Sequence, residues 1–189
     1  MNCARSSITI RLLRGKSEAV ACARIAAASD PWLRLRRNLA YVLKQLGDPR
    51  KEAHVALLSS EDVGSRPLKA KRKKKLAAER QALPGRGILG FIILDQNGPL
   101  GGYIQAIAVH PDWRGRGIGR ELIAFAEKRI FRKSSNVFLC VSSFNSAAQK
   151  FYRRLAYERV GELKDYVVKG YSEILMRKSI GPTGRIHRH

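Results

Sequence analysis

The chain has 189 residues, of which 44% are hydrophobic and 28% charged, enough apolar material for a core and unlike the composition of a disordered chain. Its 37 Lys and Arg against 15 Asp and Glu leave a formal net charge of +22, which favours solubility and attraction to polyanions but bears on partners and not on fold. Cys3, Cys22 and Cys140 have neither disulfide-framework nor zinc-site spacing, the N-terminus lacks a signal-peptide apolar region, and the longest apolar run, 88–94, falls far short of the ~20 residues of a membrane helix. A soluble cytoplasmic protein with no metal and no membrane contact is expected.

In chain order, Ile8 to Leu13 alternates as a strand, and Ser17 is placed to cap a helix running to about Ala28. Asp30-Pro31 reads as the start of a second helix with Trp32, Leu35, Leu39, Val42, Leu43 and Leu46 on one stripe, stopped by Gly47. His54 to Ser59 and Gly87 to Asp95 read as aliphatic strands. Between them, 66–86 carries nine Lys or Arg against one acidic residue, Glu79. That run is either a solvated loop or helix, or an arm that touches nucleic acid or the ribosome. Asn97-Gly98 is a hairpin signal that pairs the strand Tyr103 to Val109 antiparallel with its predecessor.

A glycine-rich turn then leads into a helix to about Phe131, with Ile118, Leu122, Ile123, Ala126 and Ile130 facing inward. Asn136 to Ser142 reads as a strand and Asn145 to Leu155 as a short helix. Glu158 to Val168 and Tyr171 to Met176 form a closing hairpin that turns at Lys169-Gly170. Residues 1–180 then make one domain with 66–86 as an insert, and 181–189 form a polar tail expected to be mobile.

The turn Arg114-Gly115-Arg116-Gly117-Ile118-Gly119 carries the chemistry. Its glycines allow backbone N–H groups to converge, and the following helix N-terminus adds partial positive charge, so it suits a phosphate. A Walker loop would close on Gly-Lys-Ser/Thr where Arg120-Glu121 stand, and a dinucleotide fingerprint counted from Gly115 needs glycine at position 120. Both patterns fail. With Ile107-Ala108-Val109-His110-Pro111 ahead of it, and Asn145, Tyr152 and Leu155-Ala156-Tyr157-Glu158-Arg159-Val160-Gly161 behind, the turn resembles the GNAT superfamily of acetyl-CoA-dependent N-acetyltransferases over about 87–178. The front half agrees in element order only, and Ala156 stands where the family commonly has glycine.

The resemblance implies an α/β (α+β) fold: a mixed, mostly antiparallel sheet of about seven strands flanked by four helices, with the basic insert between the second and third strands. It implies that Arg114, Gly115, Arg116, Gly117, Ile118 and Gly119 hold the acetyl-CoA pyrophosphate and that the edge Ile107, Ala108, Val109 pairs with the pantetheine arm. The Val109 amide would then polarise the thioester carbonyl. Tyr152, with an ordinary pKa of about 10, is implied as the general acid for the departing thiolate, and Asn145 would bond the pantetheine arm or cap its helix.

Many relatives carry a glutamate base on the strand before the turn, where this sequence has Gln105 and no carboxylate. His110 and Glu173 are the remaining candidates for the base. Trp32, Tyr166 and Tyr171 are placed to line the acceptor side, with Asp30, Asp165 and Glu173 as the carboxylates near it. The strong basicity disfavours polyamines, so the expected acceptor is a primary amine on a protein N-terminus or lysine, ahead of a small amine. A different class is a GNAT-shaped protein that binds nucleic acid or the ribosome through 66–86, with catalysis secondary or lost. The sequence does not specify the oligomeric state.

Overall fold

A computed structural model describes residues 8–58, 77–78, 81 and 83–182. Seven strands form one sheet, β1 (Ile8–Leu12), β2 (Glu52–Leu58), β3 (Ile88–Asp95), β4 (Tyr103–Val109), β5 (Asn136–Ser142), β6 (Glu158–Leu163) and β7 (Glu173–Ser179), in the order β1-β2-β3-β4-β5-β7-β6. All pairings are antiparallel except β4 with β5. Four helices flank it among the described residues: α1 (Gly15–Ala27), α2 (Leu39–Leu46), α3 (Ile118–Ile130) and α4 (Ser146–Arg154). The mixed, mostly antiparallel sheet and the four helices agree with the expected architecture.

The central strand β3 is buried at every position but its last, because both of its faces are covered. Ile88, Phe91 and Ile93 pack with α1 and α2, and Leu89, Ile92 and Leu94 pack with α3. The small residues Ala21, Cys22, Ala23 and Ala26 of α1 let that helix lie close on the sheet. The inward stripe of α3 is the expected one, Ile118, Leu122, Ile123, Ala126 and Ile130. At the end of the basic run, Leu83 is buried in the core just ahead of β3. Most of 66–86, Ser59 and residues 183–189 lie outside the described residues.

Three local expectations change. Helix α1 begins at Gly15, with Arg14 and not Ser17 at its cap, and the Arg14 N–H donates to the Glu18 carboxylate at 2.8 Å. Residues 31–36 form turns after a cis Asp30-Pro31 bond, Arg36 takes φ +51, and α2 starts only after Asn38, whose Oδ1 accepts from Tyr41 N–H at 3.0 Å. Trp32 and Leu35 are nevertheless buried, so the apolar stripe marked packing and not helix. In the closing hairpin the first arm ends earlier than expected, at Leu163, the second runs later, Glu173–Ser179, and the connection, 164–172, is longer, with Asp165 accepting the Gly170 N–H at 2.6 Å.

Strands β4 and β5 pair only at Tyr103 with Phe138 and at Ile104 with Leu139. Beyond that point their carboxyl ends splay apart, and the opening between them is the main feature of the molecule.

Candidate active site

The splay opens a cleft of about 940 Å³ walled by 104–109 of β4, by 139–142 of β5 and by the start of α4. His110 N–H donates to Leu89 O of β3 at 2.8 Å. By the alternation of an antiparallel ladder, the Val109 and Ile107 amides therefore point away from β3, toward the opening. Ile107, Ala108, Val109, Asn145 and Tyr152 all line the cleft.

At the end of β4 the turn closes the cleft. Gly115 and Gly117 have φ +73 and +86, and a Cβ on either would meet nothing within 4 Å. The left-handed backbone thus requires glycine while the space beside it stays open. The first N–H groups of α3 have no intrahelical acceptor, so Ile118, Gly119 and Arg120 present donors at the positive end of the helix. This cradle fits the pyrophosphate of acetyl-CoA. Arg114, Gly115, Gly117, Ile118 and Gly119 line the cleft, whereas Arg116 does not, its guanidinium lying 4.5 Å above the buried Trp113 ring. Arg114 donates to Ser29 Oγ at 2.8 Å and to Val109 O at 3.3 Å, which ties the turn to the α1–α2 connection.

Tyr152 is 6% exposed and packs edge-on against Phe151 and Tyr157. Among the described residues its hydroxyl has no hydrogen-bond partner, and burial raises its pKa, so it stays protonated. Asn145 caps α4, its Oδ1 accepting from Ala148 N–H at 3.1 Å. Cys140 is half-buried and lines the cleft; burial raises its pKa, against thiolate chemistry.

The two candidate bases separate. His110 does not line the cleft and lies 3.9 Å from Asp112. Glu173, at the start of β7, is 5% exposed, lines the cleft and accepts from Ser142 Oγ at 2.7 Å across the β5–β7 register. Burial raises its pKa, opposed by the Ser142 hydrogen bond and by Arg37. Gln105, at the position of the absent glutamate, donates to Gln45 Oε1 at 2.5 Å and ties β4 to α2.

On the acceptor side Trp32 lines the cleft, while Tyr166 is 66% exposed and Tyr171 sits outside the lining, packed edge-on against Phe144 at 4.9 Å. Arg34 lies 5.2 Å over the Phe144 ring and pairs with Asp30 at 3.2 Å, so the α1–α2 connection reaches across to the β5–α4 turn. Arg37, Ser29 and Ser142 were not singled out from the sequence. Ser142 becomes visible only through its register with Glu173, and Arg37 only once 31–36 is seen to coil over the cleft. No cluster of metal-ligating side chains occurs among the described residues, and none of their helices is long and apolar enough to cross a membrane.

The Acetyltransferase (GNAT) family model matches residues 68–157. The N-alpha-acetyltransferase RimI of Mycobacterium tuberculosis is 34% identical over 96 residues, 50% of this chain and 60% of that protein. The match spans between 25% and 60% of the length of such curated relatives, so the chain covers less than two thirds of each. Among solved structures, a GNAT-family protein from Desulfovibrio desulfuricans superposes with a TM-score of 0.66 at 14% identity, covering 93% of this chain and 100% of that one. The ribosomal-protein-S18-alanine N-acetyltransferase of Escherichia coli gives 0.63 at 18% identity, covering 97% and 100%. The splayed seven-stranded sheet shares the fold of these solved structures. Over residues 68–157, just under half of the chain, the sequence is similar to the GNAT acetyltransferase family.

Proposed function

We propose that this protein is an acetyl-CoA-dependent N-acetyltransferase that acts by direct transfer on the α-amine of a protein or peptide. The observation that carries this reading is the open glycine cradle at the end of β4, joined to a cleft that holds both a protonated phenol and a buried carboxylate. When bound, acetyl-CoA supplies an acetyl thioester. Gly115, Gly117 and the first N–H groups of α3 hold its pyrophosphate, and the edge of 107–109 holds its pantetheine arm.

The Val109 N–H stabilises the charge that develops on the carbonyl oxygen. Glu173 takes a proton from the acceptor amine, through a water if the amine stands beyond direct reach. Tyr152 donates its proton to the departing sulfur. An α-amine with a pKa of about 7.7–8.0 is partly neutral at physiological pH, unlike a lysine at about 10.4, and so asks less of a single carboxylate. The similarity to the N-alpha-acetyltransferase RimI of M. tuberculosis supports the α-amine over lysine or a small amine. The test is acetyl-CoA titration followed by thiol release with matched peptides bearing free or blocked N-termini. Turnover of the free peptide alone is expected. Turnover of lysine side chains in the blocked peptide would overturn the α-amine assignment.

A further inference from the structure

The two sides of the cleft differ in how their charges are used. On the α1–α2 side, Arg34 is paired with Asp30, and Arg114 is engaged by Ser29 and the Val109 carbonyl. Arg37 forms no salt bridge among the described residues, yet it is half-buried and lines the cleft. Its guanidinium is held by aromatic rings, 4.9 Å from the centre of Tyr41 and 6.0 Å from that of Trp32. Stacking holds it in place while its N–H donors meet no carboxylate among the described residues.

Arg37 shares the cleft lining with Glu173 and Cys140, and its charge opposes the rise that burial gives both of their pKa values. Among the described residues, the only carboxylates lining the cleft are Asp30, already paired, and Glu173, bonded to Ser142. An acceptor entering the cleft meets a carboxylate suited to an amine and, lining the same cleft, a ring-held guanidinium that forms no salt bridge among the described residues.

We propose that Arg37 is a specificity-determining residue that binds a carboxylate close to the reacting amine, so that the preferred acceptor is a peptide N-terminus with an acidic side chain in its first residues. This rests on the α-amine reading above. An extended residue spans about 3.4 Å, so a group one or two residues from the amine reaches a cation in the same cleft as Glu173. The guanidinium would grip the carboxylate through paired N–H donors. Basic residues at the same place would meet Arg37 and be rejected. Free acidic amino acids carry a carboxylate beside an amine too, and are the competing source of the same chemistry.

The experiment compares kcat/KM for peptides that share their first residue and carry Asp, Asn or Lys at the second, together with free aspartate. In the unaltered protein the Asp peptide should exceed the Lys peptide by roughly ten- to a hundredfold, the scale of one charge-assisted contact, mostly through KM. Arg37→Gln should bring that ratio near one, Arg37→Glu should invert it, and Arg37→Lys should recover part of it; acetyl-CoA affinity and Tm report that each variant is folded. Equal turnover of Asp and Lys peptides by the unaltered protein, or a preference that survives in Arg37→Gln, would overturn the role of Arg37 while leaving the α-amine reading standing. Turnover of free aspartate and of no peptide would overturn the peptide assignment. Turnover of no α-amine at all would overturn the underlying reading and this one with it.

Discussion

Burial acts on Tyr152 and Glu173 in the same direction, whereas the proposed transfer asks opposite tasks of them. Both groups are held toward their neutral forms. For the phenol this preserves the proton to be donated, so Tyr152→Phe should lower kcat by roughly 10²–10⁴-fold with acetyl-CoA affinity nearly unchanged. For the carboxylate it moves the basic form to higher pH. Activity should therefore rise with pH through a value above the ordinary glutamate range, and Glu173→Gln should remove that limb from the kcat/KM profile; an identical profile in the variant would exclude Glu173 as the base.

Stability follows with the opposite sign. Because the folded pKa of Glu173 exceeds the unfolded one, its contribution declines as pH rises through the folded value. Glu173→Gln should then be more stable than the parent at neutral pH, with the difference fading toward acid, as denaturant titrations at two pH values would read. Ala156 offers a second stability test. It has φ +65, a conformation that penalises any Cβ, so Ala156→Gly should stabilise the chain by about 0.5–1 kcal/mol after the entropy cost of glycine is deducted. Tyr152 was legible because its place in a motif is local in sequence. Ser142 was not, because it meets Glu173 across 31 residues through a strand register that no local pattern encodes.

At the scale of elements, the site exists because β4 and β5 pair at two positions and then part. Gly90 helps to set the other side of β4: a Cβ there would lie 2.5 Å from Ala108 O, so only glycine lets β3 come this close behind the strand edge. The cradle makes its own prediction. Gly117→Val puts a branched side chain where the backbone is left-handed, and acetyl-CoA affinity should fall roughly tenfold or more by calorimetry. An unchanged affinity would place the pyrophosphate elsewhere.

The strands, the glycine turn and α3 were legible from alternation, the hairpin signal and helical spacing. The α1–α2 connection was not. Its apolar residues sit at helical intervals but are buried by a coil of turns, and the actual helix start depends on Asn38, a cap that the uninterrupted stripe obscured. Arg37, which lines the cleft, lies in that misread stretch.

Over the whole molecule, the charge of +22 divides into parts with different standing. Arg114 is spent on joining the turn to Ser29, Arg116 on Trp113, and Arg37 faces the cleft. The run 66–86, most of it outside the described residues, carries the expectation of polyanion contact. If it binds nucleic acid, affinity should fall steeply with salt and drop on deletion of 66–82, leaving the buried Leu83 in place; salt-independent binding would assign the contact to something other than phosphate charge. The central claim is acetyl transfer to an α-amine within the cleft between β4 and β5. Its most direct test is the purified protein with acetyl-CoA and a short peptide, followed by thiol release and by peptide mass. Saturable thiol release matched by one added acetyl group at the free N-terminus, and sharply reduced in Tyr152→Phe, is the expected result. Thiol release that is the same with a blocked N-terminus, or the absence of any acetyl-CoA binding, would contradict it.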